Sequence, residues 1–276
     1  MAPTTAAAAA LKPSPFSREV RRWRALRRMS QLELATLAGT TQRHLSFIES
    51  GRSAPGRAMV VRLAESLALS LRERNALLLA AGYAPAYEES PRDAATIEPA
   101  MTALRSILTG HLPYPAVVAG PRGELVLANA AFEVLTEGAA AHLLEPPVNV
   151  LRLALHPEGM GPRVVNLAAW GRHVTESVRA RAAAHPDAGL DALVAELAGY
   201  LPAGAPPGPD HLGFAVPLRL RTSGGELRLL TTLTSFATAV DVTLAELHLE
   251  AFLPADQETG ELLRRRAAAR DATPPG

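Results

Sequence analysis

The strongest constraint in this sequence is the punctuation of its first third. Between Ser17 and Gly82, helix start and stop signals follow one another so closely that only short helices fit. Val20, Trp23, Leu26 and Met29 recur at every third position among Arg18, Arg21, Arg22 and Arg28, which describes one amphipathic helix. Ser30, with Glu33 three residues on, forms a capping box for a second helix reaching about Ala38. Gly39 ends that helix. Thr40 and Thr41 open a third, which runs to Ser50 and stops at Gly51. Pro55 precedes a fourth with Met59, Leu63 and Leu67 on one face, and Ser70 caps a fifth over 71–81, before Gly82. This pattern predicts a compact all-α five-helix domain over residues 17–82.

The rest of the chain reads differently. Residues 1–16, rich in Ala, Thr and Pro, are expected to be a disordered tail, and 83–98 a linker. A helix is expected around 99–109. The period then changes to strand-like, with 116–119 and 125–127 forming a hairpin about Pro121-Arg122-Gly123. Asn129 is placed to cap a helix over 130–136. Helical segments over 148–155, 167–185 and 190–200 follow, then a Pro-rich loop at 202–209. Strands are expected over 214–221, 226–236 and 244–252, the first two joined by the turn 222–225, with a flexible tail at 263–276. The second domain, 99–262, is therefore read as α+β: an antiparallel five-stranded sheet with helices over one face.

Charge separates the two domains. Residues 1–92 carry 14 Lys and Arg against 7 Asp and Glu, whereas the remainder carries 14 against 20. A basic head on an acidic body points to a polyanion-binding module joined to another task. The sequence has no cysteine, which excludes thiolate chemistry, disulfides and Cys-type zinc sites. No charge-free stretch has the length of a membrane span, and the N-terminus lacks the pattern of a signal peptide, so a cytoplasmic protein is expected. No nucleophile elbow, P-loop, zincin or dinucleotide-binding motif occurs, and no two histidines stand at i, i+4. Neither an enzyme nor a metal or cofactor site is expected.

Within the head, residues 31–50 have the layout of two helices joined by a Gly turn, the design that sets a second helix into the major groove. SQLELATLAGTTQRHLSFIESGRSAP resembles the Cro-like helix-turn-helix of phage repressors and many bacterial regulators, without a gap from Arg24 to Arg57. The resemblance implies that Gln31 bonds a phosphate and that Gln42 reads adenine. Arg43 and Phe47 take neighbouring base-reading positions, while Thr41 and Ser46 reach phosphate or a base edge. Arg52 and Arg57 hold the backbone. It also implies a structural ion pair between Arg24 and Glu49. Specific binding by so small a head needs two half-sites, so a homodimer on double-stranded DNA is expected.

In the body, PAVVAGPRGELVLANAAFEVL resembles the opening of PAS-like domains. With NALLLAAGYAPAY, LRLALHPEGMGPRVVN and LAELHLEAFLPADQET, the chain is similar to the MmyB-like transcription regulators over about 17–262. That family implies a PAS-like ligand-binding domain for small hydrophobic effectors, fatty acids among them. The candidate ligand residues are His156, Asn166, Trp170, His173, Phe214, Phe236 and His248, alongside apolar Leu151, Leu155, Leu167, Val174 and Leu229. The alternative is a body that serves only as a dimerisation or protein-interaction adaptor.

Overall fold

The computed structural model describes residues 14–202, 215–236 and 238–272. They form two compact units, one of residues up to Glu89 with Val240–Val242, the other of the remainder. The division falls within the segment read as a linker. No helix among the described residues is long and apolar enough to cross a membrane.

The first unit contains α1 (Pro15–Leu26), α2 (Gln31–Leu37), α3 (Gln42–Glu49), α4 (Arg57–Ser66) and α5 (Leu71–Ala80). Side-chain caps fix most of the starts. Ser30 with Glu33 and Ser70 with Glu73 form reciprocal capping boxes, and Thr41 Oγ1 accepts from the His44 N–H. A residue with left-handed φ follows every one of the five helices. Glycine fills that place after α2, α3 and α5 (Gly39, Gly51, Gly82), but Arg28 and Ala68 take it after α1 and α4. Phe16, Val20, Trp23, Leu34, Leu45, Ile48, Leu63 and Leu67 pack as one core. Burying each large side chain is worth about 1.5–3 kcal/mol, which lets helices of two or three turns persist. Asn75 fastens the following chain: its amide accepts from the Ala86 and Tyr87 N–H groups and donates to Tyr87 O.

The second unit opens with α6 (Glu98–Gly110) and then β1 (Ala116–Ala119) and β2 (Leu125–Ala128). Next come a 3-10 turn, α7 (Glu133–Thr136), α8 (Val150–Leu155), α9 (Leu167–Ala184) and α10 (Ala188–Gly199). The chain closes with β3 (Leu218–Thr222), β4 (Gly225–Ser235), α11 (Val242–Ala245), β5 (His248–Pro254) and α12 (Gln257–Asp271). The five strands lie in the order β2-β1-β5-β4-β3, with every neighbouring pair antiparallel. The first and last segments of the domain thus meet in the centre of the sheet.

Several expectations are corrected here. Helices cover both faces of the sheet. α6 supplies Met101, Leu104 and Leu108 to a cluster with Ala116, Val118, Leu249 and Ala251. The alternate strand residues Ala119 and Phe252 join Leu151, Trp170, Val178 and Leu193 on the other face. Residues 263–271, read as a flexible tail, continue α12, with Leu262 and Leu263 buried in that second cluster. Asn129 does not cap a helix. Its amide donates to Leu108 O and Tyr114 O and accepts from the Ala116 N–H, tying α6 to β1. The last strand starts at His248 because α11 occupies the start of its expected range. The third strand begins at Leu218; Phe214 and most of the 202–209 loop lie outside the described residues.

Candidate functional site

In the head, one buried carboxylate organises the first three helices. Glu49, only 1% exposed, accepts from Arg24 Nε (2.7 Å) and Nη2 (3.0 Å), a bidentate pair across 25 residues of sequence. Arg24 also donates to Met29 O, and Arg21 Nη2 to Glu49 O. Burial alone would push the Glu49 carboxyl up. Hydrogen bonds from Arg24 and Gln31, with the charges of Arg24 and Arg21, outweigh it and hold the group below the usual carboxylate range.

Gln31 belongs to this network. Its Nε2 donates to Glu49 Oε2 at 2.8 Å, and because a carboxylate only accepts, the amide nitrogen must face it. The second N–H of that amide is the one available to a phosphate. Thr41, Gln42, Arg43, Arg52 and Arg57 are exposed, while Ser46 and Phe47 are half-buried. Thr41 Oγ1 is the acceptor in its cap, so its hydroxyl proton can still be donated. Phe47 sits between two guanidinium groups, with Arg43 Cζ 5.5 Å and Arg52 Cζ 5.9 Å from its ring centroid. The ring gathers the two arginines beside the exposed start of α3. His44, on the flank of the helix, pairs through Nδ1 with Thr40 Oγ1 at 3.0 Å.

In the body, the inner face of the sheet and the helices over it enclose a cavity of about 300 Å3. One face of α9 lines it with Trp170, His173, Val174, Ser177, Val178 and Arg181, the i, i+3, i+4, i+7 series of a single helical stripe. β5 contributes Glu250 and Phe252, β1 Val117, β4 Leu230, Thr231 and Leu233, and α8 Val150, Leu151, Leu153 and Ala154. Phe132, Leu135, Met160, Ala215 and Val216 complete the wall.

Of the residues expected to bind a ligand, Trp170 and His173 line this cavity, with Leu151 and Val174. The others do not. Asn166 is buried as a backbone latch, donating to Pro217 O and accepting from the Arg219 N–H. Phe236 packs against the cluster on the opposite face of the sheet. His156 ends α8 edge-on to Tyr200, 4.9 Å between centroids, and its Nδ1 accepts the Glu158 N–H. His248 lies on the inner face in register with Ala119 and Ser235, beyond the lining. Burial and then the Arg181 charge push its pKa down, which keeps it neutral. Leu155 and Leu229 are core and Leu167 packs against it.

The sequence reading missed Arg181 and Glu250. Arg181 continues the Trp170 stripe by three turns, and Glu250 stands two residues from Phe252 on the strand. Both periodicities were available in the sequence. What hid the two residues is that charges at such positions usually face water.

Among the described residues, one group has potential metal ligands: His142, His156 and Glu158, with donor atoms within 4.8 Å of one another. A neutral imidazole has a single acceptor nitrogen. In His156 that nitrogen is taken by the Glu158 N–H, so its other nitrogen carries the proton and cannot bind a cation. Helix-end chemistry likewise accounts for Asp187, which caps α10 at Gly189 and Leu190.

Comparison with known proteins decides the family. Residues 100–265 match the MmyB-like transcription regulator ligand binding domain, and residues 20–74 match the helix-turn-helix family. The chain belongs to the MmyB-like transcription regulators. It is a DNA-binding transcription regulator, with a helix-turn-helix head and an α+β body. No curated protein matches it. Among solved structures it is similar to the restriction-modification controller protein C.AhdI of Aeromonas hydrophila. Identity there is 27% and the TM-score 0.21, over 22% of this chain and 91% of that one. It is also similar to the clp gene regulator ClgR of C. glutamicum, at 22% identity and a TM-score of 0.23, over 27% and 92% of the two chains.

Proposed function

We propose that this MmyB-like regulator is a cytoplasmic homodimer that binds an operator through two heads and senses a small hydrophobic effector, such as a fatty acid, in its body. On the head, Gln42, Arg43 and Phe47 read bases, Gln31, Arg52 and Arg57 hold backbone phosphates, and Thr41 and Ser46 reach phosphate or a base edge. Effector binding changes operator affinity, so the two ligands are coupled reciprocally.

The observation that carries the sensing half is the cavity: about 300 Å3, walled largely by Leu, Val, Phe and Trp side chains, with a few polar groups on α9, β4 and β5. A cavity of that size and lining suits a small apolar ligand held by a few polar anchors.

Native mass spectrometry of the purified chain tests it. A dimer carrying extra mass that leaves on denaturation supports the reading. A bare dimer whose unfolding temperature is unmoved by medium-chain acids and alcohols refutes sensing and favours a body that serves as an adaptor.

A further inference from the structure

We infer that the outer edge of β4 over residues 231–235 is the dimer contact of the body, where a second copy of this chain adds its own β4 antiparallel, about a two-fold axis at Leu233. The inference rests on the homodimer reading and names the surface through which the dimer forms.

β4 is longer than its outer neighbour. β3 begins only at Leu218, opposite Leu229, whereas β4 runs on to Ser235 with β5 alone beside it. The register decides which backbone groups are left over. Ala255 N–H donates to Arg228 O, so even-numbered residues of β4 bond to β5 and odd-numbered ones turn their N–H and C=O away from it. Thr231, Leu233 and Ser235 therefore point donors and acceptors outward, and among the described residues no backbone group meets them. Every residue from Thr231 to Ser235 is exposed, Leu233 by 59%.

Charge and register select a second copy as the occupant. An open strand edge is a template for pairing with another chain, and folds commonly guard it with charge or cover it. Elsewhere this sheet is covered. Glu124 bridges to Asn149 beside β2, and Val164 to Leu220 beside β3, where Val165 N–H also donates to Arg219 O. The stretch from Leu230 to Ser235 carries only Leu, Thr and Ser. Two-fold pairing sets an edge against its own copy, so a charged edge repels itself and this uncharged one does not. Centred on Leu233, it sets Leu233 against Leu233 of the partner subunit and Thr231 against Ser235 of the partner subunit. Each pair then lies on one face of the joined sheet, and the outward N–H and C=O groups of both chains are satisfied. Thr231 and Leu233 also line the body cavity, so the partner's Leu233 packs against its wall, and dimerisation is linked to occupancy of the cavity.

The sequence has no cysteine, so single cysteines in the full chain, mildly oxidised, test the pairing. In a hydrogen-bonded antiparallel pair the Cα atoms stand about 5.5 Å apart, within disulfide reach. Leu233→Cys should therefore give a disulfide-linked dimer. Thr231→Cys and Ser235→Cys should not, because each stands about 14 Å from its own copy at about 3.4 Å per residue, but an equal mixture of the two should cross-link. Leu233→Lys sets like charges opposite each other and should weaken the dimer about 10- to 100-fold by sedimentation. Mixing it with Leu233→Glu should restore a dimer, which shows both variants to be folded. If the wild-type chain is dimeric but Leu233→Cys does not cross-link, Thr231→Cys cross-links as readily, or Leu233→Lys leaves association unchanged, the assignment is overturned and the homodimer reading stands. If the wild-type chain sediments as a monomer, the homodimer reading fails, and this assignment with it.

Discussion

Replacing Glu49 by glutamine tests whether one buried carboxylate holds the head together. The wild-type group accepts two hydrogen bonds from Arg24 and one from Gln31. Glutamine offers one acceptor oxygen and turns an NH2 toward the same donors. Breaking a buried ion pair costs about 3–5 kcal/mol, but Arg24 keeps 18% exposure and the amide oxygen keeps one bond, so about 2–3 kcal/mol is expected. The sequence has two tryptophans, Trp23 in the head core and Trp170 in the body. In a Trp170→Phe background, Trp23 fluorescence reports the unfolding of the head alone. With a urea slope of about 1 kcal/mol per M for a unit this small, the midpoint should fall by about 2–3 M.

The pH dependence carries a further check. Glu49 is held below its unfolded pKa, so its contribution is complete above the ordinary carboxylate range and is lost as pH falls through the folded value. Glu49→Gln should therefore flatten the acid limb of head stability. Adding Arg24→Met to Glu49→Gln should cost less than the two single changes together. A midpoint within about 0.5 M of wild type would refute the reasoning.

Further predictions concern the reading face and one strained turn. Arg43→Ala should relax preference at one base pair per half-site by about 1–3 kcal/mol, measured by competition among operator variants. Arg52→Ala should instead weaken binding to all sequences alike and lower the salt slope by about one unit. Ala68→Gly should stabilise the head: relief of a left-handed alanine returns about 1–2 kcal/mol, against about 0.5–1 for glycine's extra unfolded freedom. A urea titration should show the midpoint rise, and a fall would mean that the turn is not strained.

The helical punctuation of the head was legible because caps and glycines act locally. Ser30, Thr41 and Ser70 begin helices through bonds to residues three positions away, and Gly39, Gly51 and Gly82 end them. Arg28 and Ala68 end helices the same way without a compositional sign. In the body, strand and helix content was legible, but their roles depended on long-range geometry. Asn129 reads as a helix cap and Asn166 as a ligand residue in the sequence, and both act as latches between distant backbone segments. The charged end of the cavity exists only because the register of β5 brings Glu250 opposite α9. α12 was read as fraying because its Arg- and Ala-rich second half conceals the two leucines that anchor it.

The central claim is coupling between effector and operator. It is tested most directly by selecting an operator from random DNA, then measuring the affinity of the full chain for it by fluorescence anisotropy, with and without saturating decanoate. The account predicts a change of at least about fivefold in operator affinity, and the same factor in decanoate affinity when operator is added. Equal operator affinity in the two conditions, with decanoate shown to be bound, would contradict it.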